Sequence, residues 1–310
     1  MKKIVLMSAA AVMIFMLNNN SFACDFCMLS QGISPLDTMK GTGIKISERY
    51  TLLNQMYQGS DKVANDGTKE VHWTTELSGF YGITPEFMVM AVLPYKNGMT
   101  NDAMGAGRAS GLGDVALLGR YTFLKKENPD TTSIMAGVVG IKFATGGTNA
   151  KTSDGMGYLD AHMQPGTGST DYLFGLSYSH SLSRFSVSAN MLATLPTEGK
   201  FGTTTHQFGN TLNYDVTGKY RLVPGEFAPT KPQVFAALGI IGEARGKEKE
   251  DKVVVPDSGG NTVYFSPGVQ LVFAPHWVAD LSYQRAVYHH LFGTQLGETY
   301  KVVTGVTYLF

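Results

Sequence analysis

From about residue 43 onward the chain alternates apolar and polar positions with a period of two, and helical spacing is hard to find. Successive side chains of a strand point to opposite faces, so this alternation predicts strands with one apolar face and one polar face. The final stretch, TYKVVTGVTYLF, shows it most cleanly. Tyr300, Val302, Val306, Tyr308 and Phe310 share one face, and Lys301, Gly305 and Thr307 share the other. In DVALLGRYTF, Val115, Leu117, Tyr121 and Phe123 oppose Asp114, Arg120 and Thr122. In NTLNYDVTGKY, Leu212, Tyr214, Val216 and Tyr220 oppose Asn213, Asp215 and Lys219. In WVADLSYQRAVY, Trp277, Leu281, Tyr283 and Val287 oppose Asp280 and Gln284. Roughly twelve such segments follow one another, separated by Gly, Pro, Asn and Asp clusters, the dyad pattern of membrane-spanning strands.

Alternation alone does not separate a membrane barrel from a soluble sandwich, whose sheets also have one wet face. Two features do. Aromatic residues cap the apolar faces near segment ends (Trp73, Tyr81, Tyr95, Tyr121, Phe123, Tyr283, Tyr308, Phe310), as in the interfacial girdles of outer-membrane barrels. The connections also alternate in length. Short turns such as ITPEF, SLSRF and FAPHW trade places with long polar loops such as GGTNAKTSDGMGYLDAHMQPGTG and GKEKEDKVVVPDSGG. Two connections on the short side, KKENPD and VPGEFAPTKP, are of middling length. An even strand count with both ends periplasmic produces this rhythm. The expectation is an all-β protein: a single antiparallel up-and-down transmembrane β-barrel of about twelve strands.

The N-terminus supports export. Lys2 and Lys3 precede an apolar run from Ile4 to Leu17, broken only by Ser8, and Ser21-Phe22-Ala23 offers a small-x-small cleavage site. The apolar run is about 14 residues, short of the about 20 that a spanning helix needs, so it reads as a secretory signal peptide. The expected organisation is a signal peptide over residues 1–23, a periplasmic segment over 24–42, and a barrel over 43–310. The terminal aromatic Phe310, with Tyr308 and Gly305 before it, is similar to the β-signal read by the bacterial barrel-assembly machinery. Charged residues make up 16% of the chain, with 25 basic and 25 acidic side chains, against 36 glycines and 15 tyrosines. Soluble domains usually carry about a quarter charged residues. The balanced charge gives no electrostatic case for nucleic acid. The bacterial outer membrane is the expected location, with its lipid as the surrounding partner.

Four segments carry a family resemblance: GLGDVALLGRYTF (Gly111 to Phe123), KFATGG (Lys142 to Gly147), GTGSTDYLFGLSYSHSL (Gly166 to Leu182) and SPGVQLVFAPHWVADLSYQ (Ser266 to Gln284). In this order they resemble outer-membrane barrels of the MetA-pathway phenol-degradation type, and the likeness covers most of residues 43–310. The resemblance implies a monomeric barrel linked to uptake of aromatic or other hydrophobic compounds. It carries over no binding residues, and the cysteine-bearing prefix departs from the simplest members.

The polar faces supply the candidate site. By strand parity Arg49, His72, Glu76, Asp114, Arg120 and Lys142 point inward, as do Asp171, Asp215, Lys219, Asp280 and Lys301. Lys45, Glu70, Arg184, Arg221 and Glu243 follow the same parity. A charge on the lipid face would cost about 2–4 kcal/mol at the midplane, so the lumen is where these side chains belong. Glu48 and Arg285 fall on the apolar parity and read as rim positions or local slips of register. A mixed-charge lumen can be a wet pore or an ion-paired network filling a narrow barrel.

Catalytic signatures are absent from the sequence: GGTNAKTS lacks the G-x-x-x-x-G-K-[ST] spacing, and neither G-x-S-x-G nor H-E-x-x-H occurs. His289 and His290 lie near the outer rim, but adjacent strand residues face opposite ways, which disfavours a shared site. Cys24 and Cys27, the two cysteines, form a C-x-x-C pair in the predicted periplasmic segment. One pair gives two of the four ligands of a structural zinc, so a disulfide is the default in an oxidising compartment. Metal or redox contact with a periplasmic partner, and lipidation at Cys24, stay open beside it. The expected function is a channel for passive movement of small, aromatic or hydrophobic solutes, with no catalysis and no cofactor. The alternative is a non-transporting scaffold whose C-x-x-C tail docks a redox or metal-handling partner.

Overall fold

The structure is a computed structural model that describes residues 41–310, apart from 103–104, 129, 154, 156, 226–230 and 274–275. The expected signal peptide and both cysteines lie outside the described residues.

One antiparallel sheet closes on itself. Its strands run in chain order: Gly43–Gly59, Lys69–Gly82, Phe87–Asp102, Ala116–Glu127, Thr131–Lys142 and Asp171–Leu182 make one half. Phe185–Pro196, Thr211–Val223, Gln233–Arg245, Gly260–Phe273 and Trp277–Leu309 make the other. Each pairs with the next, and the last pairs with the first, beginning at Gly43 opposite Leu309. The 33-residue final element doubles back at Gly293, whose φ of +71° suits glycine. Its Trp277–Leu291 arm pairs with Gly260–Phe273, and its Thr294–Leu309 arm pairs with Gly43–Gly59. The eleven elements therefore make twelve crossings. Full closure leaves the cylinder without an exposed sheet edge, as the bilayer interior demands.

The wall is polar inside and apolar outside. In Thr211–Val223, Asn213, Asp215, Thr217, Lys219 and Arg221 are buried, while Leu212, Tyr214, Val216, Tyr220 and Leu222 are exposed. A water-soluble sandwich would show the opposite. Exposed aromatics form two rings. Tyr95, Tyr172 and Tyr214 stand near the long-loop end with Trp73, and Tyr121, Phe123 and Phe185 stand near the short-turn end with Tyr81. The eight residue steps from Trp73 to Tyr81 rise roughly 20 Å along the axis at a tilt of about 45°, close to the apolar band of outer-membrane barrels.

Glu48 does face outward. It lies just below the upper ring, where the Trp73 indole N–H and the Thr75 hydroxyl donate to its carboxylate, the latter at 2.8 Å. Arg285 is exposed on the same outer face. Arg184 departs from the inward expectation. It sits in the tight turn after Ser183 (φ +53°) and donates to the Gly225 carbonyl at 2.5 Å and the Tyr220 hydroxyl at 3.3 Å. Strand parity stops where the turn begins, so it could not place this residue.

Connections 83–86, 128–130, 183–184 and 274–276 are short, and 224–232 is of middling length. Long loops gather at the other end. There Gly105–Leu112 extends the sheet beside Tyr95–Asp102, and Gly199–Phe201, Thr204–Gln207, Lys249–Glu250 and Val253–Val254 build a small separate sheet.

Candidate functional site: the lumen and its mouth

The interior divides into two arcs. On one, Val92, Ala116, Leu118, Val138, Leu173 and Leu192 pack into an apolar cluster contributed by five successive crossings. On the other, charged side chains reach across the lumen. Lys301 Nζ lies 2.6 Å from Glu243 and 2.7 Å from Glu298, and the Arg245 guanidinium touches the same two carboxylates at 2.5 and 2.9 Å. Two whole crossings separate Arg245 from Glu298 along the wall, so their contact spans a chord of the interior. Tyr264, fully buried between them, donates its hydroxyl to Glu298, and Lys301 lies 4.7 Å from its ring centre. Desolvated charges tolerate such burial only when each has partners, as here. Nearer the short-turn end Lys45 pairs with Asp280 at 3.0 Å.

Of the sequence candidates, Arg49, His72, Glu76, Asp114, Lys142, Asp171, Asp215, Lys219, Asp280 and Lys301 are all buried on the inward parity. Arg120 shares that parity, is half-buried, and donates to Thr122 at 2.9 Å. Lys142 joins Asp114 at 2.8 Å and Asp171 at 2.9 Å. His72 meets Glu70, and Asn190 donates to Asp215 at 3.2 Å. His289 is buried and bonds the Glu298 carbonyl at 2.9 Å, whereas His290 is exposed beside Ser60 at 3.2 Å; the adjacent pair faces opposite ways.

Two cavities flank these arcs. One of about 180 Å³ is lined by Ser179, Ser186, Ser188, Lys219, Phe235 and Val272, toward the short-turn end. The other, about 380 Å³, lies where the first and last strands lose register. It combines inward His289 and Glu298 with outward Arg285.

The loop 143–170 folds into the opposite mouth. Asp114 holds its base by accepting from Gly146 N at 2.8 Å, Thr167 N at 2.8 Å and Thr167 Oγ1 at 2.6 Å. Gly146, Gly166 and Gly113 meet backbone to backbone, so close that a Cβ on Gly146 would lie 2.5 Å from Gly166 Cα. Met163 presses on inward Gly98, and Leu159 and Met163 cluster with Ala109.

Sequence reading missed a second feature of the mouth. Glu248 Oε2 lies 3.0 Å from His162 Nε2 and 3.1 Å from His206 Nε2. Burial alone would lower the His162 pKa, but the charge and hydrogen bond of Glu248, with Asp160 and Glu70 adding, raise it to about 9. Burial would raise Glu248, yet the two imidazoles bring it down to about 2. The three residues come from three loops without periodic pattern, so no spacing linked them.

The family described as "Putative MetA-pathway of phenol degradation" matches residues 59–293, well over half of the chain. The protein belongs to this family. No curated protein matches this family member in sequence. Among solved structures it is similar to the COG4313 outer membrane channel from Pseudomonas putida F1, at 16% identity and a TM-score of 0.71, covering 89% of this chain and 98% of that one. It also aligns with a Pseudomonas aeruginosa FadL homologue at 11% identity and a TM-score of 0.42, covering 96% of each chain. The first likeness places the fold among outer-membrane barrels.

Proposed function

We propose that the protein is a passive channel of the bacterial outer membrane for small amphipathic solutes, aromatic ones included. The divided lumen carries this reading: an apolar arc faces a charged arc across one cylinder. A solute with a ring and a hydroxyl or carboxylate can keep apolar contact on one side and hydrogen bonds on the other. The cavity beside Lys219 repeats the theme on a small scale, with serine hydroxyls and an ammonium next to Phe235 and Val272. Its size suits one small ring. The family's association with phenol degradation and the likeness to the Pseudomonas putida outer membrane channel support the same reading. With both chain ends periplasmic, solute would enter past the loop-filled mouth.

That loop-filled mouth favours one other reading, a non-transporting scaffold whose Cys24–Cys27 tail engages a periplasmic partner. Liposome swelling with the purified barrel separates the two. Phenol or benzoate is expected to enter faster than a sugar of similar mass. No swelling and no single-channel current with any solute would overturn the channel.

A further inference from the structure

We propose that His162, His206 and Glu248 form a binding site for a divalent transition-metal ion of the zinc class, and that the ion fastens three loops across the barrel mouth. The possible ligand atoms of the three side chains all lie within 4.8 Å of one another. The side chains retain only 2%, 10% and 8% of their exposure. Two imidazole nitrogens and one carboxylate oxygen are the donor set that zinc, cobalt, nickel and copper favour. Calcium and magnesium take six or more oxygens and find no such shell here.

The backbone organises the site. His162 stands in the short 3-10 turn Ala161–Met163, whose start is fixed by Asp160 accepting from His162 N at 2.9 Å. His206 and the Glu248 segment are held by the small loop sheet, in which His206 pairs with Glu250 and Gln207 with Lys249. Glu248 N donates to Ser258 at 2.9 Å. Around the ligands, Phe208 meets both imidazoles edge-on, with ring centres 5.1 Å from His162 and 4.6 Å from His206, and Phe201 stands 5.8 Å from His206. This apolar shell excludes water and strengthens binding of a cation to the carboxylate.

Tetrahedral zinc with bonds of about 2.0–2.1 Å sets its donor atoms about 3.4 Å apart. The carboxylate oxygen would retreat from each nitrogen by a few tenths of an ångström, and the two imidazole nitrogens, which lie within 4.8 Å of each other, would settle at the same spacing. Without metal, both rings must donate from Nε2 to a single oxygen, and the buried Nδ1 of His162 has no hydrogen-bond partner among the described residues. Metal binding would replace the two Nε2 protons and leave each imidazole neutral, with the three ligands balancing one of the ion's two charges. The site does not depend on whether solute crosses the lumen.

The test uses the full barrel in detergent, stripped with EDTA, carrying Cys24→Ser and Cys27→Ser in every sample so that the thiols bind nothing. Zn²⁺ is titrated calorimetrically, Co²⁺ is titrated as a visible-absorption probe, and loop cleavage by protease is timed with and without Zn²⁺. We expect a single equivalent of Zn²⁺, an intense tetrahedral-type Co²⁺ spectrum, and slower cleavage when metal is present. His206→Ala and the near-isosteric Glu248→Gln should each weaken binding at least tenfold and abolish the protection. Each variant must retain the mobility difference between boiled and unboiled samples, which reports a closed wall; Glu248→Gln preserves side-chain shape should His206→Ala disturb the loops. Unchanged affinity in both variants, or no stoichiometric binding in the parent, overturns the site.

Discussion

The two arcs of the lumen are held by different physics. The apolar arc of Val92, Leu118, Val138, Leu173 and Leu192 is built from neighbouring crossings and is cohesive through contact area. Losing one member removes an increment and leaves the others in place. The charged arc of Glu243, Arg245, Tyr264, Glu298 and Lys301 reaches across the interior and is mutually dependent. Losing one member there leaves a buried charge without its complement. A channel wall can thus combine a tolerant surface and an exacting one.

The largest expected effect tests that dependence. Glu298→Ala strips Lys301, Arg245 and Tyr264 of a shared acceptor and should destabilise the barrel by about 3–5 kcal/mol. The check is the midpoint of urea-driven release from lipid vesicles, followed by the fluorescence of Trp73 and Trp277. A loss below that of the apolar variant would break the contrast. Leu173→Ala should cost less, about 2–3 kcal/mol, because the lumen offers the neighbouring side chains room to relax. The same unfolding curve measures it. The smallest effect concerns selectivity. Phe235→Ala should leave the unfolding midpoint nearly unchanged and lower aromatic uptake a few-fold relative to a sugar in the swelling assay, since one ring contact is worth about 1 kcal/mol. Equal loss for both solutes would show that the ring shapes the passage without reading the solute.

The wall was legible because a membrane barrel enforces a period of two on every crossing. Asn213, Asp215 and Lys219 could be turned inward from sequence for that reason alone. Glu298 could not. Residues 295–298 are all buried, with no alternation, and register shifts near Leu52–Gln55 on the facing strand blur parity there. Arg245, the last residue of its strand, by contrast keeps the inward parity of Glu243. Pairings across the lumen were also beyond reach, because parity says which way a side chain points and not what waits opposite. The loop residues His162, His206 and Glu248 had no period to betray them. Their meeting depends on how three polar segments fold over one another, and the small loop sheet that aligns two of them leaves only a faint mark in sequence.

The closing seam has a temporal consequence. Gly43–Gly59 finds its second partner in the Thr294–Leu309 arm, and that ladder carries three register shifts where the other irregular ladders carry one each. Contacts so distant along a chain are slow to form. The first strand must wait, with an unpaired edge, until the final hairpin arrives. During that wait it is a template for pairing with another chain. Assembly of this barrel is therefore a problem of guarding one edge until the two ends of the sheet meet, and the seam is where that guard is finally released.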